Sequence, residues 1–263
     1  MMQIEHEKLA SMSLGDHLEE LRIRLMLAIG GVFAGMIIGM ILAGRLISFL
    51  VAQYRGIMEE AGKEPSMQFI EMADPIIVYL KISLFIGVVI AAPWIIYQLW
   101  AFVASGLYNH EKKFMKTVTP ACTILFLTGA AFFFKFVGPM AIRFFVKLDY
   151  GSDFLSYNPT LRSYISFLLT LTIVFGLGFQ LPIVIIFANK IGIVTVDMLK
   201  QGRKYVIMGL FIVAAVITPP DVFSQIALAV PMFFLYEASI IFCQIAAKKK
   251  AEKEESDSTD NTE

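Results

Sequence analysis

Cysteine and histidine are scarce in this 263-residue chain, and their scarcity removes whole classes of function. Only Cys122 and Cys243 occur, far apart and both inside apolar surroundings, which argues against a disulfide framework and against a thiolate metal site. The three histidines, His6, His17 and His110, share no metal-ligand spacing, so no metal and no cofactor is expected. A phosphate-cradling glycine loop and a Gly-x-Ser-x-Gly elbow are both missing, which speaks against an ATPase and against a serine hydrolase. Ser163, Ser166 and the threonines of the apolar blocks have no histidine at their depth, so an intramembrane nucleophile would lack its base. The polar, mixed-charge N-terminus has no short apolar region with a cleavage site. It does not read as a signal peptide, and the first apolar run is expected to stay as an anchor.

Charge is missing too, over long stretches. None lies between Arg24 and Arg45, between Lys116 and Lys135, or between Arg162 and Lys190, and Lys81–His110, Asp221–Tyr236 and the shorter Tyr205–Thr218 read the same way. An uncharged apolar run of roughly 18 residues or more is a membrane-span candidate, because the hydrocarbon core takes about 20 residues of helix. A 57% hydrophobic composition and a mean hydropathy of +0.71 agree. The expected fold is an all-α integral membrane protein: one six-span bundle over residues 1–247, enzymatically inert, followed by a charged, disordered tail over 248–263.

Orientation follows from lysine and arginine. An even span number puts both termini on one side, and that side collects fourteen of the 22 basic residues, from Lys8 to Lys253, against eight on the other. Both termini are therefore expected in the cytoplasm. Before the first span, Ser13 and Asp16 suggest a capping box, and Leu14, Leu18, Leu21 and Leu25 share one face, so residues 13–24 read as an amphipathic interfacial helix that turns into the span. Long outer connections are expected over Arg45–Lys81 and Gly138–Arg162, and short basic inner ones over Ser105–Lys116 and Lys190–Lys204. The fifth and sixth spans read as short. Tyr205–Ile217 offers thirteen residues, or about 20 Å of helix, before Thr218-Pro219-Pro220-Asp221 turns the chain.

Polar groups at membrane depth are costly and mark interior, partner or ligand contacts. Gln180 sits near the middle of the fourth span, beside Pro182, which frees the Gly178 carbonyl and invites a kink. Its role is either an interhelical hydrogen bond or a ligand contact. Glu237 lies sixteen residues, about 24 Å, beyond Asp221, where a carboxylate is protonated, paired with a base, or facing a wet cavity. Lys135 reads as a snorkelling lysine. Glu19, Glu20 and Glu111 stand in a basic rim, either as sites for a cationic ligand or as neutralisers of their neighbours. An ion-coupled transporter using Glu237 and Gln180 is the competing class, but no internal repeat is visible in the sequence.

Several motifs then fall in order. His17-Leu18-Glu19-Glu20-Leu21-Arg22-Ile23-Arg24 is followed by Ala92-Pro93 with Tyr97-Gln98-Leu99-Trp100-Ala101-Phe102, by Leu107-Tyr108-Asn109-His110-Glu111, and by Phe175-Gly176 with Phe179-Gln180-Leu181-Pro182. Thr218-Pro219-Pro220-Asp221-Val222-Phe223-Ser224-Gln225 and Ala229-Val230-Pro231-Met232 complete the set. Over about Leu14 to Ile245 the chain resembles TatC, the receptor subunit of the twin-arginine translocase. The resemblance implies a concave six-helix receptor in the bacterial inner membrane that binds signal peptides carrying two adjacent arginines. By the same resemblance Glu20 and Glu111 contact those arginines, with Glu19, Leu21, Arg22 and Phe102 shaping the patch. The signal's apolar part would pass Gln180. Pro93, Pro219, Pro220, Asp221 and Gln225 belong to the structural and partner-docking elements, and single-span TatA- and TatB-type proteins are the implied partners. Self-association and drive by the proton-motive force are also implied, and nucleic acid is not. Two departures stand out: Gln180 occupies a position where many relatives have glutamate, and Ser105 one where proline is expected.

Overall fold

No proline occurs between Leu14 and Glu60, and the helix that begins at Leu14 runs without interruption through Glu60. The structure is a computed structural model describing residues 14–105, 112–147, 158–218 and 222–260. Its helices are α1 (Leu14–Glu60), α2 (Asp74–Ser105), α3 (Lys112–Phe132), α4 (Gly138–Lys147), α5 (Leu161–Gly178), α6 (Leu181–Lys190), α7 (Val196–Ile217) and α8 (Val222–Asp260). A π-helical turn, Phe133–Val137, joins α3 to α4. Among the described residues the only β pairing is an isolated bridge between Gln68 and Thr160. The all-α expectation holds, and five stretches are long and apolar enough to cross a membrane: Gly15–Glu60, Asp74–Ala104, Thr117–Lys147, Leu161–Lys190 and Val222–Lys249.

Several expected boundaries move. Residues 13–24 do not form a separate interfacial helix; from Leu14 they are the first turns of α1, and Ser13 lies outside the described residues. The outer connection expected over Arg45–Lys81 shrinks to 61–73, because Arg45, Arg55, Glu59 and Glu60 are good helix formers and do not end α1. Gly62 ends it. With φ at 71°, it lets Lys63 N–H reach Met58 O at 2.9 Å and Gly62 N–H reach Glu59 O at 3.0 Å, the paired bonds of a Schellman cap. The inner loop expected over Lys190–Lys204 is likewise mostly helix. Thr195 caps α7 by accepting from Met198 N–H, so Lys200, Arg203 and Lys204 stand on its first turns.

The fifth and sixth segments are therefore short only in apolar length. Tyr205–Ile217 is the second half of α7, and α8 runs for 39 residues. The charged segment beginning at Lys248, expected to be disordered, is helix as far as Asp260, in keeping with the helix preference of its Ala, Lys and Glu. The fourth expected span does break where Pro182 suggests. α5 stops at Gly178, Gln180 is the residue before α6, and Pro182 occupies its first turn, where a missing N–H costs nothing.

The chain divides into two compact units, one of Met1–Ser48 with Ile76–Ile124, the other of Phe49–Pro75 with Leu125–Glu263. In the first, α1 meets α2 along small residues. A Cβ on Gly35 would lie 2.6 Å from Gly87 O, one on Gly39 2.2 Å from Ser83 O, and one on Gly31 2.5 Å from the Trp94 ring. Glycines four apart let two backbones approach closely, where dispersion and carbonyl contacts replace the hydrophobic drive that lipid does not supply. The Trp94 indole donates to Leu27 O at 3.0 Å, and the Tyr79 hydroxyl donates to Met40 O. The buried Trp100 indole points at Cys122 Sγ, 3.1 Å away.

In the second unit, the 61–73 segment is tied down at several points. Asp74 Oδ2 accepts from the N–H groups of Ile70 and Glu71, and Arg162 Nη1 reaches Asp74 Oδ1 at 3.0 Å and Glu71 Oε2 at 2.7 Å. Lys63 Nζ donates to Val146 O at 2.8 Å, and the Ser66 hydroxyl bonds Asn158. At the π turn, Gly138 N–H bonds Phe133 O, five residues back, and Gln53 Nε2 donates to Phe134 O at 3.3 Å. Beyond the turn, Arg143 pairs with Glu60 at 3.0 Å and Phe144 stacks on Phe223 with ring centroids 4.3 Å apart. Lys135, within the turn, is exposed and lies over the Phe136 ring at 5.9 Å. α6, α7 and α8 share a core of Leu199, Tyr236, Ile240 and Cys243, with the Tyr236 hydroxyl on Leu199 O at 2.7 Å.

Candidate functional site

His17, Glu20 and Arg24 follow one another at spacings of three and four and therefore share a face of α1. Gln98 and Phe102, four apart, share a face of α2 in the same unit. The two faces meet. His17 stacks on Phe102 with ring centroids 4.5 Å apart and an interplanar angle of 27°. Arg24 Nε and Nη2 each lie 2.7 Å from Glu20 Oε1, and Arg24 Nη1 donates to Gln98 Oε1 at 3.0 Å. Gln98 is only 2% exposed, so its amide is a fixed point in the packed interior. The guanidinium fork is thereby divided between a carboxylate and an anchored amide, and its plane fixes where the Glu20 carboxylate sits. The Glu20 and Arg24 side chains retain 23% and 29% of their exposure, a partly desolvated setting in which a charge-assisted bond outweighs its fully exposed equivalent.

Of the other residues singled out on α1, Glu19, Leu21 and Arg22 are exposed, as are Leu18 and Leu25 of the leucine face. Glu111 lies outside the described residues, as do Pro219, Pro220 and Asp221. Arg24 and Gln98 were not singled out as site residues from the sequence. The Glu20–Arg24 spacing of four was a usable signal; their meeting with Gln98, 74 residues beyond Arg24, was not.

The remaining residues fall in separate places. Pro93 lies inside α2, where it removes the N–H that would bond the Val89 carbonyl. Gln180 is half-buried at the α5–α6 break; its carbonyl accepts from Ile183 and Val184 N–H at 3.0 and 3.1 Å, while its side chain makes no cap bond. Close by in sequence, Gly178 admits Met232: a Cβ there would lie 2.1 Å from the Met232 methyl carbon. Of the three states open to Glu237, the structure shows the paired one. Arg203 Nε reaches Glu237 Oε1 at 2.8 Å and Nη2 reaches Oε2 at 2.9 Å, a two-pronged fork from α7 to α8. Gln225 Nε2 donates to Phe211 O at 2.9 Å and ties the same two helices. Among the described residues no group of three His, Cys, Asp or Glu side chains is placed to hold a metal ion.

Five apolar helical stretches of spanning length make this a multi-pass helical membrane protein. The sequence model of one family, TatC, described as Sec-independent protein translocase protein, matches residues 16–231. The chain is 38% identical to the Sec-independent protein translocase protein TatC of Desulforapulum autotrophicum, over 91% of this chain and 87% of that one. It is 36% identical to TatCy of Bacillus subtilis over 94% of each. A crystal structure of the twin arginine translocase receptor TatC superposes with a TM-score of 0.78 at 34% identity, covering 88% of this chain and 99% of that one. The chain belongs to the TatC family of Sec-independent protein translocase proteins, and is thus a component of a protein translocase.

Proposed function

We propose that this protein is the receptor subunit of a twin-arginine translocase, a binding protein without enzymatic activity, in the inner membrane of a bacterium. Glu20 and Glu111 take the two arginines of a signal peptide on a folded precursor, with Glu19, Leu21, Arg22 and Phe102 around them. The observation that carries this reading is the Glu20 carboxylate, held by an Arg24 that Gln98 anchors, in the unit that also holds the His17–Phe102 stack, rather than left to swing in solvent. A carboxylate fixed in orientation and partly dry favours the directional N–H of a weakly hydrated guanidinium over the compact ammonium of lysine. The solved relative, itself described as a twin arginine translocase receptor, supports the assignment.

In this reading α7 is the fifth of six spans, both termini are cytoplasmic, and the apolar part of the signal passes the half-buried Gln180. Single-span TatA- and TatB-type partners dock at α7 and α8. An apolar groove between these helices, lined by Ile207, Leu210, Phe211, Ala229, Val230 and Phe233, suits a partner helix's side chains. Energy comes from the proton-motive force. The deciding experiment is binding of a fluorescent twin-arginine peptide and its twin-lysine counterpart to the detergent-purified protein. Preference for arginine, lost in Glu20→Ala and in Glu111→Ala, is the expected result; equal or absent binding of both peptides by folded protein overturns the reading.

A further inference from the structure

Arg24 already occupies the carboxylate that the proposed function gives to the signal peptide. Both of its nitrogens facing Glu20 converge on one oxygen, Oε1, so Oε2 lies outside this pair. The third nitrogen, Nη1, is pinned by Gln98, which is 2% exposed and cannot follow Arg24 out toward solvent. Breaking the pair therefore also breaks a bond to a buried amide and leaves its oxygen without that donor. The Glu20–Arg24 pair is a standing feature of the site, and an incoming cation meets it intact.

We infer that Arg24 is a specificity-determining residue of the signal-peptide site, a resident guanidinium that makes Glu20 select for hydrogen-bond geometry instead of positive charge. The inference rests on the reading of Glu20 as a signal-peptide contact. A guanidinium 2.7 Å from the carboxylate offsets a large part of its attraction for a third group and leaves a weaker, directional field. Lysine, a strongly hydrated point charge, gains mainly from net charge and so gains little here. An arginine of the signal can still lay an N–H on Oε2, and its weaker hydration makes the exchange of water for that bond less costly. Without Arg24, Glu20 would be an ordinary exposed carboxylate that attracts either cation.

The test uses the full-length protein in detergent with labelled twin-arginine and twin-lysine peptides, comparing wild type with Arg24→Gln, Arg24→Lys and Gln98→Leu. In Arg24→Gln the twin-lysine peptide should bind more tightly, and the arginine-to-lysine affinity ratio should fall by roughly tenfold, about the worth of one charge-assisted hydrogen bond. Twin-lysine binding by that variant should also weaken more steeply with salt than in wild type. Gln98→Leu, which releases Arg24 without removing its charge, should shift the ratio the same way by less. Arg24→Lys, which keeps the local charge, should retain most of it. An unchanged ratio in Arg24→Gln, or lost arginine binding with lysine binding unmoved, overturns the inference while the receptor reading stands. A wild-type protein that does not distinguish the peptides overturns both. If Arg24→Gln fails to fold, an unchanged ratio in Gln98→Leu carries the same refutation.

Discussion

Gly35 and Gly87 touch backbone to backbone, with a Cβ on Gly35 falling 2.6 Å from the Gly87 carbonyl oxygen. Neither partner can yield by rotating a side chain, because neither has one. Gly35→Ala is expected to lower stability by about 1–3 kcal/mol through overpacking. Gly30 has no atom within 4 Å of its Cβ position, so Gly30→Ala should be neutral or slightly stabilising. Thermal unfolding in detergent separates the two, and equal midpoints for both variants would refute the close approach.

Arg203 and Glu237 allow a double-mutant cycle. The fork commits both Glu237 oxygens to one guanidinium, so Arg203→Ala and Glu237→Ala should be coupled and not additive. Each single variant leaves an uncompensated charge, and the double variant should recover part of the loss. Additive effects on the unfolding midpoint would argue that the fork contributes nothing.

The Asp74–Arg162 clamp is expected to govern cleavage of the 61–73 segment. Asp74 accepts two backbone N–H groups and the Arg162 guanidinium while its side chain is 3% exposed. Asp74→Ala should open the segment far more than Glu71→Ala, whose side chain is exposed and contributes a single contact to Arg162. Trypsin nicking after Lys63, followed on gels, reports the difference. Matching rates for wild type and Asp74→Ala would show that the clamp does not restrain the segment.

Glu20→Ala and Glu111→Ala should each weaken twin-arginine peptide binding by about 10- to 100-fold, the loss of a charge-assisted hydrogen bond, with membrane insertion and abundance unchanged. Loss of abundance in both variants would instead assign these carboxylates to folding.

Gln180→Glu should be tolerated in export. The side chain is half-buried and makes no cap bond to α6, and glutamate keeps its shape and a hydrogen-bonding oxygen at the same place. A well-expressed but export-dead Gln180→Glu protein would tell against a purely polar role.

Part of this fold could be read from the residues. Uncharged runs located the spanning stretches, because hydrocarbon excludes charge, and Pro182 located the α5–α6 break, because proline lacks a donor. Helix ends were misplaced at Arg45 and at Lys200–Lys204, since charge marks the edge of the bilayer and not the end of a helix that arginine and lysine readily continue. Gly31, Gly35 and Gly39 carry a visible spacing of four, yet nothing in the sequence pairs them with Trp94, Gly87 and Ser83. The Glu20–Arg24 pair is local and could be read; the Gln98 amide that pins it comes from another helix and could not. The Phe133–Val137 π turn has no residue signature at all.

That turn has a consequence for helical phase. One additional residue wound into a turn makes everything downstream lag by about 100° around the axis relative to the same sequence wound as an unbroken α-helix. Arg143, which meets Glu60, and Phe144, which stacks on Phe223, both lie beyond that offset. Deleting a single residue from 133–137 would restore regular winding and leave both side chains in phase with their partners, whereas forcing α winding on the stretch at its present length would turn them by about 100°. The stretch thus absorbs one residue of length, and this part of the chain should tolerate the loss of a residue there better than the loss of one from the regular winding on either side.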